Sequence, residues 1–290
     1  MRLFLRFQGV QKNTTNKDLI NLEISQAREH LSLHKRIVVK IGTTTLTYPN
    51  GTLNLQRIER ICWVVADLCN QNKEIIIVTS GAVGVGANSL GMEQRPKDII
   101  GRQAASAVGQ AMLMNIYHRF LMAYNRHAAQ ILLTRECVGS PGRKENAHNT
   151  ICQLLAMGVV PIVNANDTIA TDELGELSDN DNLSAHVAIF SESQLLVILS
   201  DIEGFYNKDP RTNPKAVLFS EVTEITPKIE AAAGGSGSSL GTGGMATKLT
   251  AARTALEHGI STVIASGDDP MILLRILAGG QEGTLFRAGG

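Results

Sequence analysis

The sequence has no excess of charge of either sign: 27 Lys and Arg stand against 27 Asp and Glu in 290 residues. A formal net charge of zero removes the electrostatic case for nucleic acid or an anionic membrane as a partner. Charged residues are also few, at 19%, while 43% are hydrophobic, which excludes an intrinsically disordered chain. No apolar run approaches the ~18 residues that a membrane-spanning helix needs. The four cysteines, Cys62, Cys69, Cys137 and Cys152, lack C-x-x-C spacing and are too sparse for a disulfide scaffold. They read as buried thiols in a reducing compartment, so sequons such as those at Asn13, Asn166 and Asn182 are chance matches. The seven histidines show no metal-ligand spacing such as H-E-x-x-H, and no Ser-His-Asp or Cys-His relay stands out. What remains is a globular cytoplasmic protein of one large or two small domains.

What the chain does have, from residue 36 onward, is a regular alternation. The runs Ile37–Ile41, Ile75–Val78, Gln130–Leu133, Val159–Val163, Leu195–Leu199 and Thr262–Ala265 are short, nearly unbroken and rich in Ile, Val and Leu. Such runs read as strands covered on both faces of a parallel sheet. Between them Leu55, Ile58, Ile61, Cys62, Val65, Leu68 and Cys69 recur at helical spacing, with Trp63 in the same helix as a packing residue. Residues 103–123, 143–157, 182–191 and 245–258 also read as helices. Strands alternating with helices call for right-handed βαβ crossovers. The expected fold is α/β, a largely parallel central sheet sandwiched by helices. Residues 234–244 hold six glycines and three serines and read as an irregular loop. Residues 1–34 stand apart. Arg2, Arg6 and Lys12, with no acid among the first sixteen residues, faintly resemble an organellar presequence, but Asp18, Glu23 and Glu29 follow. An extra N-terminal helix is the blander reading.

Open α/β sheets bind ligands at the carboxyl ends of their strands, and four such junctions carry chemistry. At the first, Lys40 is followed by Gly42 and three threonines. A lysine inside an apolar strand is awkward to bury without a partner, and with backbone N–H groups beside it suits an anion. At the second, Thr79–Gly86 opens a helix with small residues, including Ser80 and Gly81; tight strand–helix packing asks for the same residues. At the third, Asn164–Asp167 and then Ser178–Asn182 collect carboxylates and amides able to hold an ammonium group, Mg²⁺ or a lysine. A solvated turn with Asp181 or Asn182 as helix cap is the plain alternative. The fourth joins Ser200 and Asp201 to Gly241-Thr242-Gly243-Gly244-Met245-Ala246-Thr247-Lys248, a phosphate cradle onto which no Walker A loop can be laid. Two lysines, an aspartate cluster and glycine-rich strand ends suit phosphoryl transfer, which depends on positioning and charge neutralisation.

Ile37–Thr43, Val78–Ala82, Asn164–Asp167, Asp179–Ala185, Ser200–Asp201 and Gly241–Lys248 together resemble the amino acid kinase family. The likeness is to its branch that phosphorylates the L-glutamate γ-carboxylate to open proline synthesis. Lys208–Pro214 matches that family's nucleotide-side loop, and the resemblance spans residues 35–287. It implies an amino acid kinase domain over 35–290 behind an N-terminal extension, 1–34, with neither a C-terminal PUA domain nor a reductase domain. By the same resemblance Lys40 and Lys248 bracket the transferring phosphoryl group. Ser80, Gly81, Asp167 and Asn180 hold glutamate, with Asp167 a partner for its ammonium, and Asp179 and Asp181 orient the lysines or the substrate. Lys40, Ser200, Asp201 and residues 242–248 bind ATP with Mg²⁺, and no protein ligand is assigned to the metal. Ser200 stands where the family commonly shows Thr, keeping the hydroxyl. Proline as feedback inhibitor and a homo-oligomer, dimer or tetramer, are further implications. The chemistry agrees with the missing base: a γ-carboxylate of pKa near ~4.3 is already ionised at neutral pH. Acetylglutamate, aspartate, carbamate or UMP as acceptor, or a non-catalytic amino acid sensor on the same fold, stay open at this point.

Overall fold

The structure, a computed structural model, describes residues 26–134, 136–169, 179–234 and 244–289. After a 3-10 turn, His30–Leu33, come β1 (Arg36–Ile41), α1 (Thr43–Leu46), α2 (Leu55–Asn70), β2 (Glu74–Val78), α3 (Ala82–Ser89) and α4 (Ile99–Ala123). Then follow β3 (Ala128–Leu133), α5 (Glu136–Gly139), α6 (Pro141–Ala156), β4 (Val160–Ala165), α7 (Asn180–Phe190) and β5 (Leu195–Ser200). The last third is β6 (Glu221–Val222), α8 (Pro227–Ala232), α9 (Met245–Leu256), β7 (Ser261–Ser266), α10 (Ile272–Leu277) and β8 (Thr284–Phe286). The strands form one sheet in the order β3-β4-β2-β1-β5-β7-β8-β6, and the only antiparallel pairing among them is β7 with β8.

All six expected strands are present, and β6 and β8 extend the sheet beyond them. Side chains alternate along a strand. Ile37, Val39 and Ile41 therefore enter one core with Ile58, Ile61 and Val65 of α2. Val38 enters the other with Leu183 of α7 and Leu249 of α9. Lys40 follows Val38 by two residues, so β1 sends it to the face covered by α7 and α9.

Local chemistry shifts several helix boundaries. Asp98 caps α4 by accepting from Gly101 N at 2.7 Å, so that helix starts at Ile99 and not at 103. Asp179, not Asp181 or Asn182, caps α7. The Trp63 expectation is corrected: the indole sits on the outer face of α2, 40% exposed. Of the four free cysteines only Cys62 is buried, the others being half-buried. The glycine-rich stretch at 235–243 and the segment 1–25 lie outside the described residues.

Two features tie the body together. A Cβ on Gly86 would stand 1.7 Å from Ala105 O, and one on Gly109 1.9 Å from Ala82 O, so α3 and α4 touch backbone to backbone. Gly109→Ala is expected to push these helices apart and cost about 1–3 kcal/mol; urea or thermal unfolding checks it, and an unchanged midpoint would show that the helices yield freely. Just before β1, Leu31 joins the core and Arg28 is fully buried. The Arg28 guanidinium donates to the carbonyls of Ser220, Gly280, Glu282 and Gly283 at 2.6–3.1 Å.

Candidate active site

At the carboxyl ends of β1 and β5 the two lysines meet one carboxylate. Lys40 Nζ lies 2.5 Å from Asp181 Oδ1, and Lys248 Nζ lies 3.1 Å from Oδ2. All three residues are buried, Asp181 completely. Thr247 adds its hydroxyl 3.0 Å from Asp181 Oδ2. Burial alone would raise the Asp181 carboxyl, but the two lysine charges and their hydrogen bonds outweigh it and hold the group below the ordinary carboxylate range. One carboxylate cannot neutralise two ammonium groups. The cluster keeps a net positive charge, and Lys40 and Lys248 both line the cleft beside it.

That cleft, of ≈ 390 Å³, runs from the lysines toward Ser80, Asp167 and Asn180. Gly81 sits at the turn into α3 with φ +91°, a left-handed conformation that favours glycine, and the Thr43 side chain lies 3.3 Å from where a Cβ would stand. Asn180 Nδ2 donates to Ser80 Oγ at 3.0 Å and to Asn164 Oδ1 at 3.1 Å. Asp167 accepts from Ser106 Oγ at 3.0 Å. Burial pushes its carboxyl up, and Ser106, Arg102 and Arg95 only partly offset this.

Asp179 and Asp181, two residues apart across the start of α7, face different tasks. Asp179 Oδ1 accepts from the Asp181 backbone N–H, while its buried Oδ2 has no hydrogen-bond partner and the residue lines the cleft. On the far side Ser200 donates to Asp201 Oδ1 at 3.1 Å, and Asp201 Oδ2 pairs with Arg211 of the 208–214 loop at 2.7 Å. Gly244 caps α9; Met245 packs toward the core, Ala246 is exposed, and Thr242 and Gly243 lie outside the described residues. A wider cleft, ≈ 1090 Å³, opens at the amino ends of β5 and β7 and contains none of the expected site residues.

The model of the amino acid kinase family matches residues 35–266, four-fifths of the chain. The chain belongs to the amino acid kinase family. Among its relatives, a protein of Clostridium perfringens named glutamate 5-kinase is 50% identical over 264 residues, covering 90% of this chain and 98% of that one. Glutamate 5-kinases of Listeria monocytogenes and Enterococcus faecalis are each 48% identical, covering 89% and 91% of this chain and 95% and 98% of theirs. Solved structures share the family fold at low identity. UMP kinase from Bacillus anthracis aligns with a TM-score of 0.61 at 18% identity, over 89% of this chain and 97% of that one. Isopentenyl phosphate kinase of T. acidophilum aligns with a TM-score of 0.61 at 17% identity, over 87% of this chain and all of that one. In this family member the strand-end motifs supply most of the cleft, and α4 supplies a further wall. Arg102, Ser106 and Gln110 follow one another at i, i+4 and i+8, a polar stripe along the first half of α4, and that spacing is the available signal. Arg95, on the loop before α4, carried no comparable signal.

Proposed function

We propose that this chain transfers the γ-phosphoryl group of ATP to the γ-carboxylate of L-glutamate, giving γ-glutamyl phosphate for proline synthesis. The observation that carries the reading is the buried Lys40–Asp181–Lys248 cluster opening into a cleft whose other end holds Asp167. Attack of an ionised carboxylate on a phosphate brings two anions together, and the obstacle is their repulsion, not a missing base. Lys40 and Lys248 face the transferring group from two sides, while Asp181 keeps both ammonium groups oriented and stops them from folding away. Asp167 and the Asn180 amide oxygen suit an α-ammonium, and Arg95, Arg102 and the Ser80 hydroxyl suit carboxylate. Ser200, Asp201 and the start of α9 lie on the nucleotide side. Asp201 and the unpartnered Asp179 oxygen are hard oxygen donors that would hold Mg²⁺, which when bound would supply further charge neutralisation.

The test is ADP release from Mg-ATP with glutamate, N-acetylglutamate, aspartate, carbamate and UMP, with hydroxylamine present to trap an acyl phosphate. Glutamate-dependent ADP release with hydroxamate formation supports the reading. Silence with every acceptor in a folded protein that binds glutamate would favour a sensor. Asp167→Ala is expected to raise the KM for glutamate roughly tenfold to a hundredfold, the worth of a hydrogen bond to a charged group, with the KM for ATP unchanged. An equal effect on both substrates removes Asp167 from ammonium binding. Because the Asp167 carboxyl is pushed up in the free protein, glutamate affinity is expected to weaken on acidification before an ordinary aspartate would titrate.

The reading carries three further parts. Proline shares the α-amino-carboxylate of glutamate and competes for the same groups. The exposed apolar face of α4, including Ile100 at 79% and Met122 at 42% exposure, suits a second copy of the chain. The proposed reaction, which draws on ATP and glutamate, is assigned to the cytoplasm; no helix among the described residues is long and apolar enough to cross a membrane.

A further inference from the structure

Behind the cleft wall runs a line of buried amides whose hydrogen bonds have a direction. The Ala165 backbone N–H donates to Asn164 Oδ1 at 2.9 Å, and a backbone N–H cannot reverse its role. Asn164 Oδ1 is therefore an acceptor, and the group facing it from Asn180 at 3.1 Å must be Nδ2. The same Nδ2 donates to Ser80 Oγ. Both N–H bonds of Asn180 are then spent, and its Oδ1 is left buried, without a hydrogen-bond partner, on a residue that lines the cleft. Ser80, having accepted, keeps its O–H to donate. At the other end, Asn164 Nδ2 points away from the cleft and donates to Gln110 Oε1 at 2.7 Å. Asn164 is 1% exposed and Gln110 6%, so water is a poor substitute for this acceptor.

We propose that Gln110 is a specificity-determining positioning residue: it accepts from the Asn164 Nδ2 that the Ala165 N–H leaves turned toward it, and so holds in place the amide line in which Asn180, lining the cleft, keeps Oδ1 as the spare acceptor for the primary ammonium of the amino acid substrate. Gln110 touches no reacting atom. Its effect passes through Asn164 to the side of the cleft where Asp167 also stands, and the two acceptors together select a charged, unacylated amine over a substrate without one. The polarity matters because an amide turned the other way would present N–H groups to an ammonium, repelling it. The inference rests on glutamate being the acceptor substrate. It adds to that reading a residue outside the cleft and a reason why free amines are preferred.

The experiment is calorimetric binding of L-glutamate and of glutarate, which has the same two carboxylates and no ammonium, to the wild-type protein, Gln110→Met and Gln110→Glu. Methionine keeps the volume and removes the acceptor; glutamate keeps an acceptor oxygen. Gln110→Met is expected to weaken L-glutamate binding tenfold or more while glutarate binding stays within threefold, and Gln110→Glu is expected to retain the preference for the amine. Equal losses for both ligands in Gln110→Met, or no loss, would overturn the inference and leave the proposed reaction standing. If wild-type protein binds neither ligand, the reading of the substrate falls and the inference with it. Should Gln110→Met not fold, Asn164→Asp decides. Its new oxygen would face Gln110, whose buried Nε2 has no hydrogen-bond partner and can turn in to donate, so the preference for glutamate over glutarate is expected to survive. Its loss would overturn the proposed polarity.

Discussion

Replacing Lys248 by alanine is expected to lower kcat with glutamate by about 10²–10³-fold or more, the loss found when one preorganised charge-stabilising group is removed, while L-glutamate still binds. Lys248 is buried at the start of α9, 3.1 Å from Asp181 Oδ2, and faces the cleft opposite Lys40. In the absence of substrate its charge is already oriented, so no reorganisation is needed when the phosphoryl group begins to move. That is the condition under which a cation contributes more to the transition state than to ground-state binding. Lys248→Arg is expected to restore little, because a planar guanidinium needs more room than the compact ammonium held against Asp181. Steady-state kinetics together with calorimetric glutamate binding separate the outcomes. Unchanged turnover removes Lys248 from the mechanism, and loss of glutamate binding would make its role structural.

The second large effect is expected at Asp181. Asp181→Asn leaves Lys40 and Lys248 buried side by side without a counter-charge, and breaking a buried pair in this way costs about 3–5 kcal/mol. Stability and kcat should therefore fall together in this variant, whereas Lys248→Ala relieves repulsion and should be far milder on stability. Acid dependence gives an independent check. The carboxyl is held below its ordinary value, so its contribution to stability is complete above the unfolded-state pKa of ~3.9 and is lost as pH falls through the lower folded-state value. Urea unfolding between neutral pH and pH ~3 should show this loss in the wild-type protein and a flatter profile in Asp181→Asn. Equal acid slopes in the two proteins would mean that the pair contributes nothing net.

The parts of the molecule that could be read from sequence are those governed by burial and by strand-end chemistry. Ile37–Ile41 and Leu195–Leu199 are apolar at nearly every position because α-helices cover both faces of β1 and β5, and that pattern survives without knowledge of their order in the sheet. β6 and β8, two and three residues long, are too short to show a period. Asp179 and Asp181 could be gathered but not told apart. Their division depends on where α7 begins, which turns one carboxylate into the helix cap and buries the next between lysines. Arg28 lay in a stretch whose composition gave no reason to expect a fully buried guanidinium. Its partners are backbone carbonyls, which carry no residue signature at all. The polar stripe of α4 was legible in principle, but only the tertiary contacts of Ser106 with Asp167 and of Gln110 with Asn164 distinguish it from a solvated face.

Arg28 also sets an order of events during synthesis. Three of the four carbonyls it clasps belong to residues made 252 to 255 positions later. On a ribosome, which releases chains from the amino end, the central strands β1, β2 and β5 can pair while this guanidinium still has nothing to hold. The turn leading into β8 and the segment before β1 close on each other only when residues 280–283 have emerged, so a nascent chain halted short of them carries an arginine with nowhere to dry.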